Sequence, residues 1–204
     1  MNRITSVFVS VVLLGLVCGV AQANLLLNPG YEAPVELAWS PSNESTNWFG
    51  WGDVEAVGVG WKTPQSGNQS LVLKNWLGAA DGVEQKQTVT AGESYTLSFY
   101  SLWDSGYDGS LNTQVRWIDA GGAQIGSNMI SWTAGTIDTW NMTSVLVTSM
   151  VSSARAEINF GNSGGTAGAL YLDTVNFAAI PEPTTAALFG FVALGFLAMR
   201  RLKK

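Results

Sequence analysis

The nine tryptophans of this chain, at positions 39, 48, 51, 61, 76, 103, 117, 132 and 140, are its most conspicuous chemical resource. An aromatic ring can stack on the apolar face of a sugar while neighbouring polar groups hydrogen-bond the hydroxyls. Trp48, Phe49 and Trp51 crowd into a segment rich in Gly and Asn, which makes them the best exposed platform. Trp117 and Trp140 fall on alternating segments and read as packing. Tyr100, Gln114, Arg116, Glu157 and Asn159 alternate with apolar neighbours and suit a sugar-binding groove by type. The competing reading of that set is a hydrated sheet surface, which antiparallel sheets commonly expose.

Catalysis has fewer candidates. No histidine occurs anywhere, which removes Ser-His-Asp triads and histidine metal ligands. Glycoside hydrolysis needs only two suitably spaced carboxyl groups, and Asp104, Asp108, Asp119 and Glu157 qualify by type. Three of these sit in or beside Gly-rich turns, where Asp serves the backbone. The reading is therefore non-enzymatic. Residues 24–180 hold five basic and fourteen acidic side chains. A field of that sign repels phosphate backbones and excludes nucleic acid as a partner.

The elements that must position these residues read as β throughout 24–180. In Ser94–Trp103, Tyr95, Leu97, Phe99 and Trp103 share one face, and Thr96, Ser98 and Tyr100 the other. In 154–160, Ala156, Ile158 and Phe160 oppose Arg155, Glu157 and Asn159. Further strands are expected at 70–76, 113–118, 140–148 and 169–177, with turns at 66–68, 80–82, 91–93, 119–122 and 161–168. This spacing predicts an all-β antiparallel sandwich.

The two ends differ in kind from this body. Arg3, an apolar run over 4–20 and Ala21-Gln22-Ala23 follow the pattern of a secretory signal peptide (1–23), cleaved before Asn24. An uncleaved anchor is the alternative. Cleavage removes Cys18, the single cysteine, so the mature chain can hold no disulfide. At the far end, Pro181-Glu182-Pro183 precedes a 16-residue apolar segment, 184–199, and then Arg200-Arg201-Leu202-Lys203-Lys204. As a helix the segment is about 24 Å long, short of the ~30 Å hydrocarbon core, and spans it by local thinning or snorkelling. Its basic end stays cytoplasmic; the alternative is a buried core helix with a basic tail.

This order over 181–204 resembles the PEP-CTERM sorting signal of Gram-negative bacteria. That resemblance implies processing by an exosortase-type membrane protease, export to the cell envelope or extracellular matrix, and association with exopolysaccharide.

A second resemblance covers the body. Asn24-Leu25-Leu26-Leu27-Asn28-Pro29-Gly30-Tyr31-Glu32 opens it, Ser66-Gly67-Asn68-Gln69-Ser70-Leu71 precedes an early strand, Val89-Thr90-Ala91-Gly92-Glu93-Ser94-Tyr95 starts a middle one, and Tyr171-Leu172-Asp173-Thr174-Val175 closes it. Together these resemble carbohydrate-binding jelly rolls of the family 4/9 type, with the galactose-binding-like fold. The resemblance implies a structural calcium ion held by Glu32 and Asp173, with backbone oxygens from 66–68. Thr174 stands where the family carries a second aspartate. The bland alternative leaves Glu32 and Asp173 solvated or hydrogen-bonded at strand ends. The expected function is a non-catalytic carbohydrate-binding domain, against a matrix structural protein with no small ligand.

Overall fold

A computed structural model describes residues 23–33, 48–74, 80–130 and 135–180. The chain divides into two units, 24–179 and a second made of 1–23 and 180–204. Apart from Ala23 and Ile180, the ends lie outside the described residues, and with them the expected signal peptide, Pro181-Glu182-Pro183 and the apolar segment. No helix among the described residues is long and apolar enough to cross a membrane.

The described residues within 24–179 form ten strands: β1 (Phe49–Trp51), β2 (Val54–Gly58), β3 (Gln69–Lys74), β4 (Asp81–Thr88), β5 (Ser94–Trp103), β6 (Ser110–Ile118), β7 (Gln124–Ile130), β8 (Asn141–Thr148), β9 (Arg155–Ser163) and β10 (Ala169–Ala179). They make two antiparallel five-stranded sheets, ordered β1-β4-β9-β6-β7 and β2-β3-β10-β5-β8. The all-β sandwich expected from the alternating patterns is what the described residues of 24–179 adopt.

Period-two patterning explains the arrangement, because alternate residues of a strand face opposite ways. Tyr95, Leu97 and Phe99 of β5 meet Val115 and Trp117 of β6 and Ile158 and Phe160 of β9 in one buried cluster. Phe99 meets Phe160 edge-on across the sheets, with ring centroids 4.9 Å apart. Burying each such side chain is worth about 1.5–3 kcal/mol. A smaller cluster of Val57, Val72, Leu102, Ala169 and Tyr171 lies on the outer face of the second sheet, with Trp140 packed against it. Trp140 Nε1 donates to Thr63 O at 2.9 Å, tying the β2–β3 connection to that face.

The opening segment runs beside β10. Leu25 N donates to Phe177 O and Val175 N to Pro29 O, both at 2.8 Å. Asn28 and Tyr31 then take left-handed backbone conformations (φ 47° and 54°), which turn Tyr31 into the core. Thr174, at φ 49°, marks the point where the β10–β5 register shifts between Asp173 and Asn176. A bulge of this kind bends the strand and redirects side chains.

The turn expected at 80–82 is instead the start of β4. Asp81 is buried there and accepts Asp53 N at 2.7 Å.

Candidate functional site: the outer face of the first sheet

Residues directly opposite each other in antiparallel strands share a face. The register therefore sets three rows across the outer face of the first sheet. Trp51, Gly82, Gly161 and Asn112 form one. Phe49, Glu84, Asn159, Gln114 and Met129 form the next, crossing all five strands. Lys86, Glu157, Arg116 and Ser127 form the third.

The central side chains bond to one another. Arg116 Nη1 donates to Glu157 Oε1 at 2.5 Å and lies 3.8 Å from Glu84 Oε2. Lys86 Nζ sits 3.6 Å from Glu84 and 3.5 Å from Glu157. Asn159 Nδ2 donates to Glu84 Oε2 at 3.4 Å. Gln114, with its amide oxygen turned to Arg116, accepts from Nε at 3.0 Å and Nη2 at 2.8 Å. Two anions and two cations thus neutralise each other, and Gln114 Nε2, Asn112 and Ser127 border them as uncharged polar groups. Glu157 and Asn159 are buried although they face away from the core, while Asn112, Ser127 and Met129 at the border of the same face are exposed.

Burial, with the neighbouring Glu157 charge, pushes the Glu84 carboxyl above its ordinary range, and burial does the same to Asp81. Ionising either group then costs more in the folded state than in the unfolded chain. That penalty is absent below the ordinary carboxylate range and develops as pH rises through the raised folded value. The melting temperature is accordingly expected to be higher at pH 5 than at pH 7. Thermal scans of Glu84→Gln should show a smaller difference between the two pH values. An identical difference in the variant would contradict the assignment.

Of the sequence-proposed sugar-binding residues, the structure gathers Trp51, Gln114, Arg116, Glu157 and Asn159 on this face. Trp48 is not among them. It is 0% exposed, its Nε1 donates to Asn28 O at 3.0 Å, and its ring lies against Tyr31 (5.2 Å) and Phe160 (6.0 Å). Tyr100 is also elsewhere, because β5 belongs to the second sheet, where it opposes Met142 and Asp173. Sequence reasoning missed Glu84 and Lys86. Their signal was the alternation of β4, disguised because its inward Gln85 is polar; Gln85 bonds the Leu27 backbone at 2.8 and 2.9 Å. Trp39, Trp76 and Trp132 lie outside the described residues.

The remaining carboxylates considered for catalysis serve the backbone or an ion pair. Asp104 lies 3.1 Å from Lys62 Nζ. Asp108 accepts from Thr166 N and Ala167 N, which hold its carboxyl below the usual range, and Asp119 accepts Ala123 N at 2.9 Å.

Glu32 and Asp173 lie near each other beside the opening turn. A side chain added at Gly30 would lie 3.7 Å from Asp173 Oδ1 and 4.0 Å from Glu32 Oε1. Asp173 is 0% exposed and accepts from Gln65 N (2.9 Å), Ser66 N (3.0 Å) and Thr174 N (2.6 Å). Glu32 Oε1 accepts from Asn68 N at 2.9 Å and Gln69 N at 3.3 Å. The 65–69 turn therefore meets these carboxylates with N–H groups where backbone oxygens were expected. Thr174 Oγ1 donates to Gln65 Oε1 at 2.7 Å. Each carboxylate has about four lone-pair sites, so Glu32 Oε2 and part of Asp173 Oδ1 stay available among the described residues. These donors fit calcium by type. No group of three or more acidic, Cys or His side chains suited to a metal occurs among the described residues, so carbonyls would complete any shell.

No family model matches the chain, and no curated protein matches it. Solved structures do. The enzymatically active domain of bacteriophage CBA120 tailspike protein 4 superposes with a TM-score of 0.55 at 20% identity, over 77% of this chain. The present chain covers only 21% of that tailspike chain. Family 16 Carbohydrate Binding Module-2 superposes at 0.56 and 17% identity, covering 76% of this chain and 99% of the other. The CBM22-1 xylan-binding domain of Paenibacillus barcinonensis Xyn10C gives 0.56 and 18%, covering 79% and 97%. At such identities the likeness is one of fold: residues 24–179 have the jelly-roll sandwich found in carbohydrate-binding modules.

Proposed function

We propose that residues 24–180 are a non-catalytic carbohydrate-binding domain whose outer first-sheet face takes a neutral polysaccharide. The observation that carries this reading is the alignment of Phe49 and Trp51 beside the Glu84, Lys86, Arg116, Gln114, Glu157 and Asn159 array. Aromatic rings next to fixed polar groups are what sugar recognition requires. Because each cation of the array is matched by a carboxylate, no free positive charge remains there to favour an acidic glycan. Xylan and other uncharged glycans in affinity electrophoresis should retard the domain, with little dependence on salt. Passage unretarded through every glycan of a broad panel would end this reading.

The terminal patterns support export and exosortase-type sorting, with the membrane as an intermediate anchor and the envelope or matrix as destination. Glu32 and Asp173 would hold a structural calcium ion that fastens the opening turn to β10. Adding a chelator is then expected to lower the melting temperature by at least about 3 °C, the shift that ~1 kcal/mol of linkage produces in a domain of this size. An unchanged melting temperature removes calcium from the account.

A second reading, a matrix protein acting through protein contacts, is favoured by one feature. Met129, Met142, Leu146, Met150 and Val151 are exposed along β7, β8 and the turn that follows. Concentration-dependent mass in sedimentation, without glycan retardation, would select it.

A further inference from the structure

Each sheet ends in two edge strands, and an edge strand offers unpaired backbone N–H and C=O groups to any chain that can lie beside it. Among the described residues, three of the four edges carry a protecting feature. β1 has only three residues, β2 bears the exposed Glu55, and β7 shifts register against β6 between Trp117 and Ile118. β8 has no such feature. Its eight residues hold no charge, proline or glycine, and they pair with β5 without a register shift.

The hydrogen bonds of β8 show which of its groups face away from β5. Ser149 N donates to Glu93 O at 2.9 Å, just past the end of the strand. Ser94 and Thr148, the next pair, instead bring their hydroxyls together at 3.1 Å, as the closer non-hydrogen-bonded pairs of a ladder do. Alternation then turns the N–H and C=O of Thr148, Leu146, Ser144 and Met142 toward the free edge. The side chains of these four residues are exposed, Met142 and Leu146 at 60% and 61%.

Electrostatics select the partner. Between Asp119 and Arg155 the only charged residue is Asp138, which is ion-paired with Lys62. The body as a whole holds fourteen acidic and five basic side chains. Two copies of so acidic a domain repel each other, and along this uncharged stretch they can meet without opposing carboxylates. Antiparallel strands of identical sequence also satisfy a two-fold axis, the symmetry by which identical chains most often associate.

We infer that β8 is a self-association surface: it pairs antiparallel with β8 of a second copy of this chain, about a two-fold axis near Val145, and joins the two second sheets into one. Met142 and Leu146 of one copy then interleave with those of the other. This builds on the protein-contact reading, for which it names the partner, and it uses no residue of the first sheet.

The test uses residues 24–180, a compact unit with its own core, at increasing concentration. Sedimentation should show the mass rising from monomer to dimer. Amide hydrogen exchange at Met142, Ser144, Leu146 and Thr148 should slow at least about tenfold in the dimer. Leu146→Lys brings two cations together near the axis and should weaken dimerisation at least about tenfold. Its exposed site leaves the melting temperature of the monomer unchanged, and the exchange measurement on the wild type decides should the variant not fold. A mass that rises while those four amides exchange as in dilute solution, or a folded Leu146→Lys that dimerises like wild type, overturns the β8 pairing and leaves the protein-contact reading intact. A mass that stays monomeric at every concentration overturns both.

Discussion

Trp48→Ala is expected to destabilise the domain by about 3–5 kcal/mol, the range for deleting a large buried aromatic side chain. Three losses combine. The ring sits between Tyr31 and Phe160, its Nε1 is the donor to Asn28 O, and its removal leaves a cavity that the sheets cannot close. Asn28 holds the opening turn by accepting from Ala33 N at 3.1 Å and donating to Ala33 O at 3.0 Å, so the damage reaches the segment that carries Glu32. Chemical denaturation should show a lowered midpoint at an unchanged slope. A midpoint within the error of wild type would mean that Trp48 is not a core residue.

Trp51→Ala, three positions away, is expected to act chiefly on binding. The ring is half-buried on the outer face and packs on Gly82, so its loss should cost less stability than that of the fully buried Trp48. Binding of the preferred glycan should weaken by at least about 2 kcal/mol, roughly 30-fold in Kd, as for aromatic anchors at the centre of an interface. Equal binding by wild type and variant would remove the aromatic platform. The contrast between the two tryptophans separates a packing role from a recognition role within one short segment.

The sandwich was legible where local pattern and tertiary role agree. β5 was read to its ends because each inward position from Tyr95 to Phe99 is apolar and each outward one polar or half-exposed. β9 showed the same alternation but continues past Phe160 through Gly161 to Ser163, where the glycine looked like a turn. β4 and β7 escaped notice because their inward positions break the pattern. In β4, Gln85 faces inward to satisfy the opening segment. In β7, Met150 Sδ fills the space above Gly126, so no apolar side chain was needed there.

The site was legible in part for a related reason. Alternation assigns a residue to a face of its own strand, and it did so correctly for Gln114, Arg116, Glu157 and Asn159. It says nothing about which sheet the strand joins. Tyr100 was grouped with the others on parity alone, yet β5 pairs with β8 and β10, and the order β4-β9-β6 depends on long crossovers that no local pattern specifies. Trp48 was misplaced because it precedes β1, where parity has no meaning; Phe49 and Trp51, inside the strand, share a face.

Residue-resolved nuclear magnetic resonance of residues 24–180 during titration with a neutral glycan tests the proposed face most directly. Perturbed signals should cluster on the Trp51 indole and on the side-chain amides of Asn112, Gln114 and Asn159, leaving Tyr100 and Met142 unmoved. Shifts confined to the second sheet, or none at saturating glycan, would contradict the assignment of sugar recognition to the outer face of the first.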